Sequence, residues 1–288
     1  MAVNYSNQAA AESNPPRSLE TTKPDLLTIA AIAIVATVIA DFIHEALGHG
    51  GMCLATGGQP LALSTVHFEC SVEPRLVAAG GTFANLIFGA LFWAAARAVK
   101  QSAPWRYFFW LLMTFNLFEA GGYFLFSGIG NIGDWTAVVA GWQPAWAWRL
   151  GLVALGTISY FFWFVPLCVR ELRPFLGNDI PGNDTKIRVH RARLLTLVPY
   201  FASGILSCVA GVLNPVGPVL ILISSAAASF GGHSGLAWMA SLLHNPRIPS
   251  TELQVPEIKR TWGWVIAAAI LAIAFIAGLG PGVKFHRV

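Results

Sequence analysis

Charge is what this chain has least of. Only 11% of its 288 residues are charged, where a soluble domain averages about 25%. That shortage excludes an ordinary water-soluble globule. Cysteine is sparse too: there are four, with no C-x-x-C pair, so a cysteine-built zinc site is not suggested. The N-terminus does not read as a secretory leader. Residues 1–24 are polar and carry Pro15 and Pro16, which predicts a disordered tail. No internal repeat is seen. What the chain has in excess is apolar surface, at 55% hydrophobic residues gathered into long runs. That is the composition of a polytopic membrane protein.

Seven runs lie at about 26–49, 76–96, 107–127, 150–169, 194–213, 216–240 and 262–279. Each is close to the ~20 residues a helix needs to cross the hydrocarbon layer. The sixth is interrupted by Gly231-Gly232-His233-Ser234-Gly235. The expected fold class is all-α, a transmembrane helix bundle of six or seven spans. In the first outer loop, about 50–75, Thr65, Val66, His67, Phe68 and Glu69 alternate polar and apolar, so a short β-hairpin can form there. Cys53 and Cys70 share that loop and are either bridged, if that side is oxidising, or two free thiols. Cys168 and Cys208 fall inside spans and read as apolar packers.

The basic residues test the span count. With the N-terminus in the cytoplasm, Arg17, Lys23, Arg97, Lys100, Arg106, Arg170, Arg173, Lys186, Arg188, Arg191, Arg193, Arg247, Lys259 and Arg260 all fall on the inner side, 14 of the 18. The positive-inside rule predicts such a split. It requires the sixth run to cross once. It also accounts for the net charge of +4 without a nucleic-acid partner. Trp142, Trp146 and Trp148 read as an interfacial aromatic belt.

The first run ends in Asp41-Phe42-Ile43-His44-Glu45-Ala46-Leu47-Gly48-His49-Gly50-Gly51. Ionisable groups inside an apolar span are costly and mark function. Two imidazoles and one carboxylate make the minimal zinc-hydrolase kit: the imidazoles hold the metal and the glutamate takes a proton from water. The histidines are five residues apart, however, which on a regular α-helix sets them roughly 140° apart around the axis. Gly48 offers a remedy, since it accepts a π-bulge or an early left-handed exit. Gly50 and Gly51 suggest that the helix ends there.

Asp134, in Gly128-Ile129-Gly130-Asn131-Ile132-Gly133-Asp134-Trp135, falls at the outer end of the third span, at the depth of the motif. It would complete a His₂-Asp set with a fourth position open. Its plainer reading is a turn former. Glu119, deeper in the third span, is a rival ligand, and His67, Glu69 and His233 are more remote ones. Asn85 could stabilise an oxyanion or simply bond between helices. Asp41 could accept a ring N–H from a ligand histidine, or form an ion pair.

With His44-Glu45…Gly48-His49, Asn85 and Asp134 in view, residues 26–140 resemble the site-2-protease-type intramembrane zinc metalloproteases, with H-E-x-x-x-H in place of H-E-x-x-H. Ala79-Gly80-Gly81-Thr82-Phe83-Ala84-Asn85 looks like that family's Gly-Pro-x-x-x-Asn element. Asn131-Ile132-Gly133-Asp134-Trp135 looks like a shortened form of its Asp-bearing element. The six-residue motif itself is similar to the H-E-L-L-G-H of dipeptidyl peptidase III, a soluble zinc peptidase. The resemblance implies Zn²⁺ on His44, His49 and Asp134, with Glu45 as general base and Asn85 assisting. It implies hydrolysis of a peptide bond in or near a transmembrane segment of a membrane-protein or membrane-proximal substrate. The expected organisation is a tail (1–24), a metalloprotease-like membrane core (25–140) and additional transmembrane helices (141–288), in a bacterial plasma membrane with the N-terminus cytoplasmic. The alternatives are a transporter, a non-catalytic scaffold with a structural metal or polar cluster, and a zinc hydrolase acting on a lipid or other non-peptide bond.

Overall fold

The structure is a computed structural model describing residues 24–72, 74–176, 185–215, 223–245 and 257–285. Most of the expected tail lies outside them. Among the described residues, six helices are long and apolar enough to cross a membrane: Leu26–Ala55, Arg75–Ala98, Ala103–Gly130, Ala145–Leu176, Lys186–Val212 and Trp262–Leu279. They answer to six of the seven runs, and the all-α bundle stands.

The first helix begins where Asp25 accepts the Thr28 N–H at 2.8 Å, a side-chain cap. It runs as α1 (Leu26–Phe42), widens into a π-helical stretch at Ile43–Gly50, and tightens again as α2 (Gly51–Ala55). The expectation that Gly50 and Gly51 end the helix is therefore corrected. Both keep right-handed helical backbone angles, and the chain turns only at Gly57, with φ +81°. A hairpin follows, β1 (Pro60–Leu63) against β2 (Phe68–Cys70), antiparallel with Leu63 opposite Phe68. The alternating pattern from Thr65 misplaced the strand start, because residues 64–67 form the connection. Cys53 and Cys70 are bridged by a disulfide that ties β2 to α2.

α3 (Arg75–Ala98) and α4 (Ala103–Gly130) follow, then the short α5 (Asp134–Val139). The fourth long helix is α6 (Ala145–Thr157), a π-helical stretch at Ile158–Phe164 and α7 (Val165–Leu172). α8 is Thr185–Val212 and α9 is Trp262–Ala274. α4 is the central post: Tyr107, Trp110, Leu111, Met113, Phe115 and Phe118 are all completely buried. α9 lies at the periphery, with Ile266, Ile270 and Ile273 about 60% exposed, as suits a face turned to lipid.

The two ends of the bundle are chemically distinct. Strand β3 (Val283–Lys284) pairs with β1 at one end, the hairpin end. Arg260, just before α9, bonds Asp25 at the other. The sixth run is not one of the six long helices. Its described part, residues 223–245, is a relay of short π, 3₁₀ and α turns. It still travels the length of the bundle. Ser224 and Ser225 line a cavity with Thr65 and Val66 at the hairpin end, and the Leu243 carbonyl accepts from Arg173 at the far end. Hydroxyl groups satisfy carbonyls that its broken helix frees, Tyr160 at Gly232 and Tyr200 at Phe230.

Two expectations follow. A Cβ at Gly48 would lie 2.6 Å from Gly81 Cα and 2.8 Å from Gly80 O, both backbone atoms that cannot step aside. Gly48→Ala should therefore lower the thermal midpoint and cost about 1–3 kcal/mol, as overpacking does. A variant as stable as the parent would contradict the contact. At the other end, Asp25 is held at about 2, below its ordinary 3.8, by the Arg260 hydrogen bond above all, with burial opposing and Thr28 assisting. A folded value below the unfolded one adds stability that is complete above pH 3.8 and is lost as pH falls toward about 2. The stability difference between parent and Asp25→Asn should thus be constant above about pH 4 and shrink below it.

Candidate metal centre

The π-helical stretch solves the spacing problem of the motif. Its hydrogen bonds reach five residues back instead of four, so residues i and i+5 stack on one face. His44 and His49 accordingly point the same way, with their Nε2 atoms 3.2 Å apart. The third group arrives from the loop after α4. Asn131 (φ +54°) and Gly133 (φ +86°) are both left-handed and turn the chain back toward the motif. Asp134 is then the first residue of α5. That short helix is pinned at both ends, by Trp135 Nε1 donating to Thr82 Oγ1 at 2.9 Å and Arg75 donating to the Ala140 carbonyl.

Asp134 Oδ2 lies 3.2 Å from His44 Nε2 and 3.4 Å from His49 Nε2. The three atoms form a nearly equilateral triangle. Ligands at about 2.0–2.1 Å on a tetrahedral ion stand about 3.3 Å from one another. The donor set therefore fits a single ion with one face left open, and these three residues could hold a metal ion. Gly81 leaves the necessary room: a Cβ there would sit 2.6 Å from His44 Nε2 and 2.7 Å from His49 Nε2.

Neighbouring groups orient the ligands. The Val77 carbonyl is 2.7 Å from His49 Nδ1 and accepts a hydrogen bond from its N–H, which leaves the Nε2 lone pair free for a metal. Tyr123 stacks on the His44 ring with centroids 4.6 Å apart. On the other edge of that ring, Asn85 Nδ2 is 3.0 Å from Nδ1. The Asp134 carboxyl is held below the usual carboxylate range. Burial pushes it up, but attraction to the imidazoles beside it, His49 first, outweighs that.

Glu45 is buried, and its Oε2 has no hydrogen-bond partner. With His49 and Asp134 it lines a cavity of about 570 Å³ that also meets His67, Phe68, Glu69 and Arg75. A carboxylate, an open ligand position and a cavity thus share one place. Asp41 takes no part as acceptor for a ligand ring, since His49 faces Val77 and His44 faces Asn85. Asn85 is completely buried, on the His44 edge turned away from Asp134. Glu119 contacts Asn85 and His233 rather than the triangle. Sequence reasoning missed Tyr123 and Val77. Tyr123 stands one helical turn after Glu119 and could have been noticed, whereas a backbone carbonyl leaves no signal.

Compared with known proteins, the chain matches no family model, no curated protein and no solved structure. The metal reading rests on the geometry alone. Protein purified in detergent and supplied with zinc should carry about one ion per chain by elemental analysis. His44→Ala, His49→Ala and Asp134→Ala should each lose it. Gly81→Ala should lose it too, although no ligand is altered, because its methyl group fills the space beside both Nε2 atoms.

Proposed function

We propose that this protein is a membrane-embedded zinc hydrolase, and specifically an intramembrane peptidase. One observation carries the reading: a three-donor triangle of tetrahedral dimensions beside a buried, unpartnered carboxylate. A structural site closes all four positions, whereas a catalytic one keeps a position open. The peptide as substrate is supported by the resemblance of residues 26–140 to the site-2-protease-type enzymes, in motif and in the order of the three elements.

His44, His49 and Asp134 would hold the ion, which when bound lowers the pKa of water toward ~7 and polarises a carbonyl. Glu45 Oε2 is the proton acceptor. It is unpaired, and it stands in the cavity a substrate would use. The same carboxyl group then returns the proton to the leaving amine. Val77 keeps the His49 proton on Nδ1 throughout, so that ligand does not change tautomer during turnover. A transmembrane substrate would have to unwind locally, because helical carbonyls are occupied within the helix. The cavity lies at the hairpin end of the bundle, where a membrane-spanning segment leaves the hydrocarbon.

Glu45→Gln separates this reading from a purely structural metal. With a transmembrane peptide carrying a helix-breaking centre as substrate, the variant should keep its zinc and cleave at least 10²-fold more slowly than the parent. Equal cleavage by parent and variant would remove Glu45 from the chemistry. A zinc-loaded parent that cleaves no such peptide would count against the peptidase reading.

A further inference from the structure

A string of buried polar groups runs from the metal triangle into the apolar middle of the bundle. His44 Nδ1 is 3.0 Å from Asn85 Nδ2, and the same Nδ2 is 3.0 Å from Glu119 Oε2. The other Glu119 oxygen, Oε1, is 3.5 Å from His233 Nε2. Asn85 is fully buried and His233 is 1% exposed, stacked on Phe115 at 4.4 Å between centroids. Four elements meet here: the motif helix, α3, α4 and the broken segment. A carboxylic group of this kind is costly in an apolar span and calls for an explanation.

We propose that Glu119 is a positioning residue for the metal ligand His44, acting through the Asn85 amide. The inference rests on the metal reading above. When Nε2 of His44 binds a metal, the ring carries its proton on Nδ1, and that N–H needs an acceptor. In the arrangement described, the amide presents Nδ2, a donor, while its Oδ1 is buried without a partner. The two ends of an amide are nearly identical in shape, so it can turn over in place. Turned, Oδ1 accepts from His44 Nδ1–H and faces Glu119 Oε2 as well. An amide oxygen has two lone pairs and can take both hydrogens, one from the ring and one from a carboxylic O–H. With an O–H directed at Oδ1, the Glu119 carboxyl group locks the amide with its oxygen toward His44, the orientation that suits metal binding. His233 lies against the remaining carboxyl oxygen and limits its rotation.

The broken sixth segment gains a purpose from this. A straight helix carries each side chain at a fixed angle, whereas the π and 3₁₀ turns at Ala227–Ser234 set His233 against Glu119. Glutamine at position 119 can replace the O–H with an N–H directed at Asn85 Oδ1. An apolar residue cannot.

The test is Co²⁺ affinity, read from the visible absorption of the bound ion in the full-length protein in detergent. Glu119→Gln should bind within about 3-fold of the parent and show the same spectrum. Glu119→Ala and the volume-matched Glu119→Met should bind about 10- to 100-fold more weakly, the usual range for removing a group behind a metal ligand. Should the alanine variant not fold, the methionine variant carries the comparison. Asn116→Ala serves as control. It is a buried α4 residue bonded only to the Leu112 carbonyl of its own helix, and its loss should leave Co²⁺ affinity unchanged. Parent-like affinity in both apolar variants, or glutamine as weak as methionine, overturns this inference alone. A parent that binds no Co²⁺ overturns it together with the metal reading.

Discussion

Gly48 meets Gly80 and Gly81 with no side chain between the two helices, and the geometry of the site depends on that contact. The approach is close enough that a methyl group on any of the three would strike backbone or a ligand ring. It holds the widened turn of the motif helix against α3, where Val77 and Asn85 reach the two histidine rings from opposite ends. Small residues let helices pack this closely inside a membrane, where no hydrophobic force draws them together. The backbone contact and the ligand geometry are thus one arrangement. The motif helix could not move away from α3 without losing the groups that orient its histidines.

α4 joins this arrangement to the rest of the bundle. In the half away from the hairpin, Tyr107, Trp110, Phe115 and Phe118 are completely buried. Its hairpin-end half carries Glu119 and Tyr123 against the motif. Beyond its end, two left-handed residues return Asp134 to the histidines. The third ligand therefore depends on where α4 ends, and Arg149 caps that end by donating to the Gly128 and Ile129 carbonyls. The disulfide, the hairpin and α5 close around the cavity from the outside.

Much of this was legible in the residues themselves. Helices in a bilayer must satisfy their own backbone, so long apolar runs announce spans, and six of them formed as read. His44 and His49 could be named because each is expensive where it stands, and Asp134 because it falls at their depth at the outer end of the third span. Other readings failed for local reasons. The glycines at 50 and 51 looked like a helix end, but both keep right-handed helical angles and the helix runs on to Ala55. The alternation from Thr65 looked like a strand, yet three of its five residues, Thr65, Val66 and His67, make the connection between the strands. Whether Cys53 and Cys70 pair depended on a distance that no spacing rule supplies.

The sequence by itself determined the medium, the places of six long helices and the chemical inventory, since these follow from hydropathy and residue type alone. Only the tertiary structure decided the relations. It set two histidines five residues apart on one face by widening a helical turn. It brought Asp134 to within 3.4 Å of them through two left-handed residues. It also broke the sixth run so that His233 meets Glu119. Such relations depend on backbone geometry and on contacts between residues distant in the chain. No local pattern of residue types encodes a distance across helices.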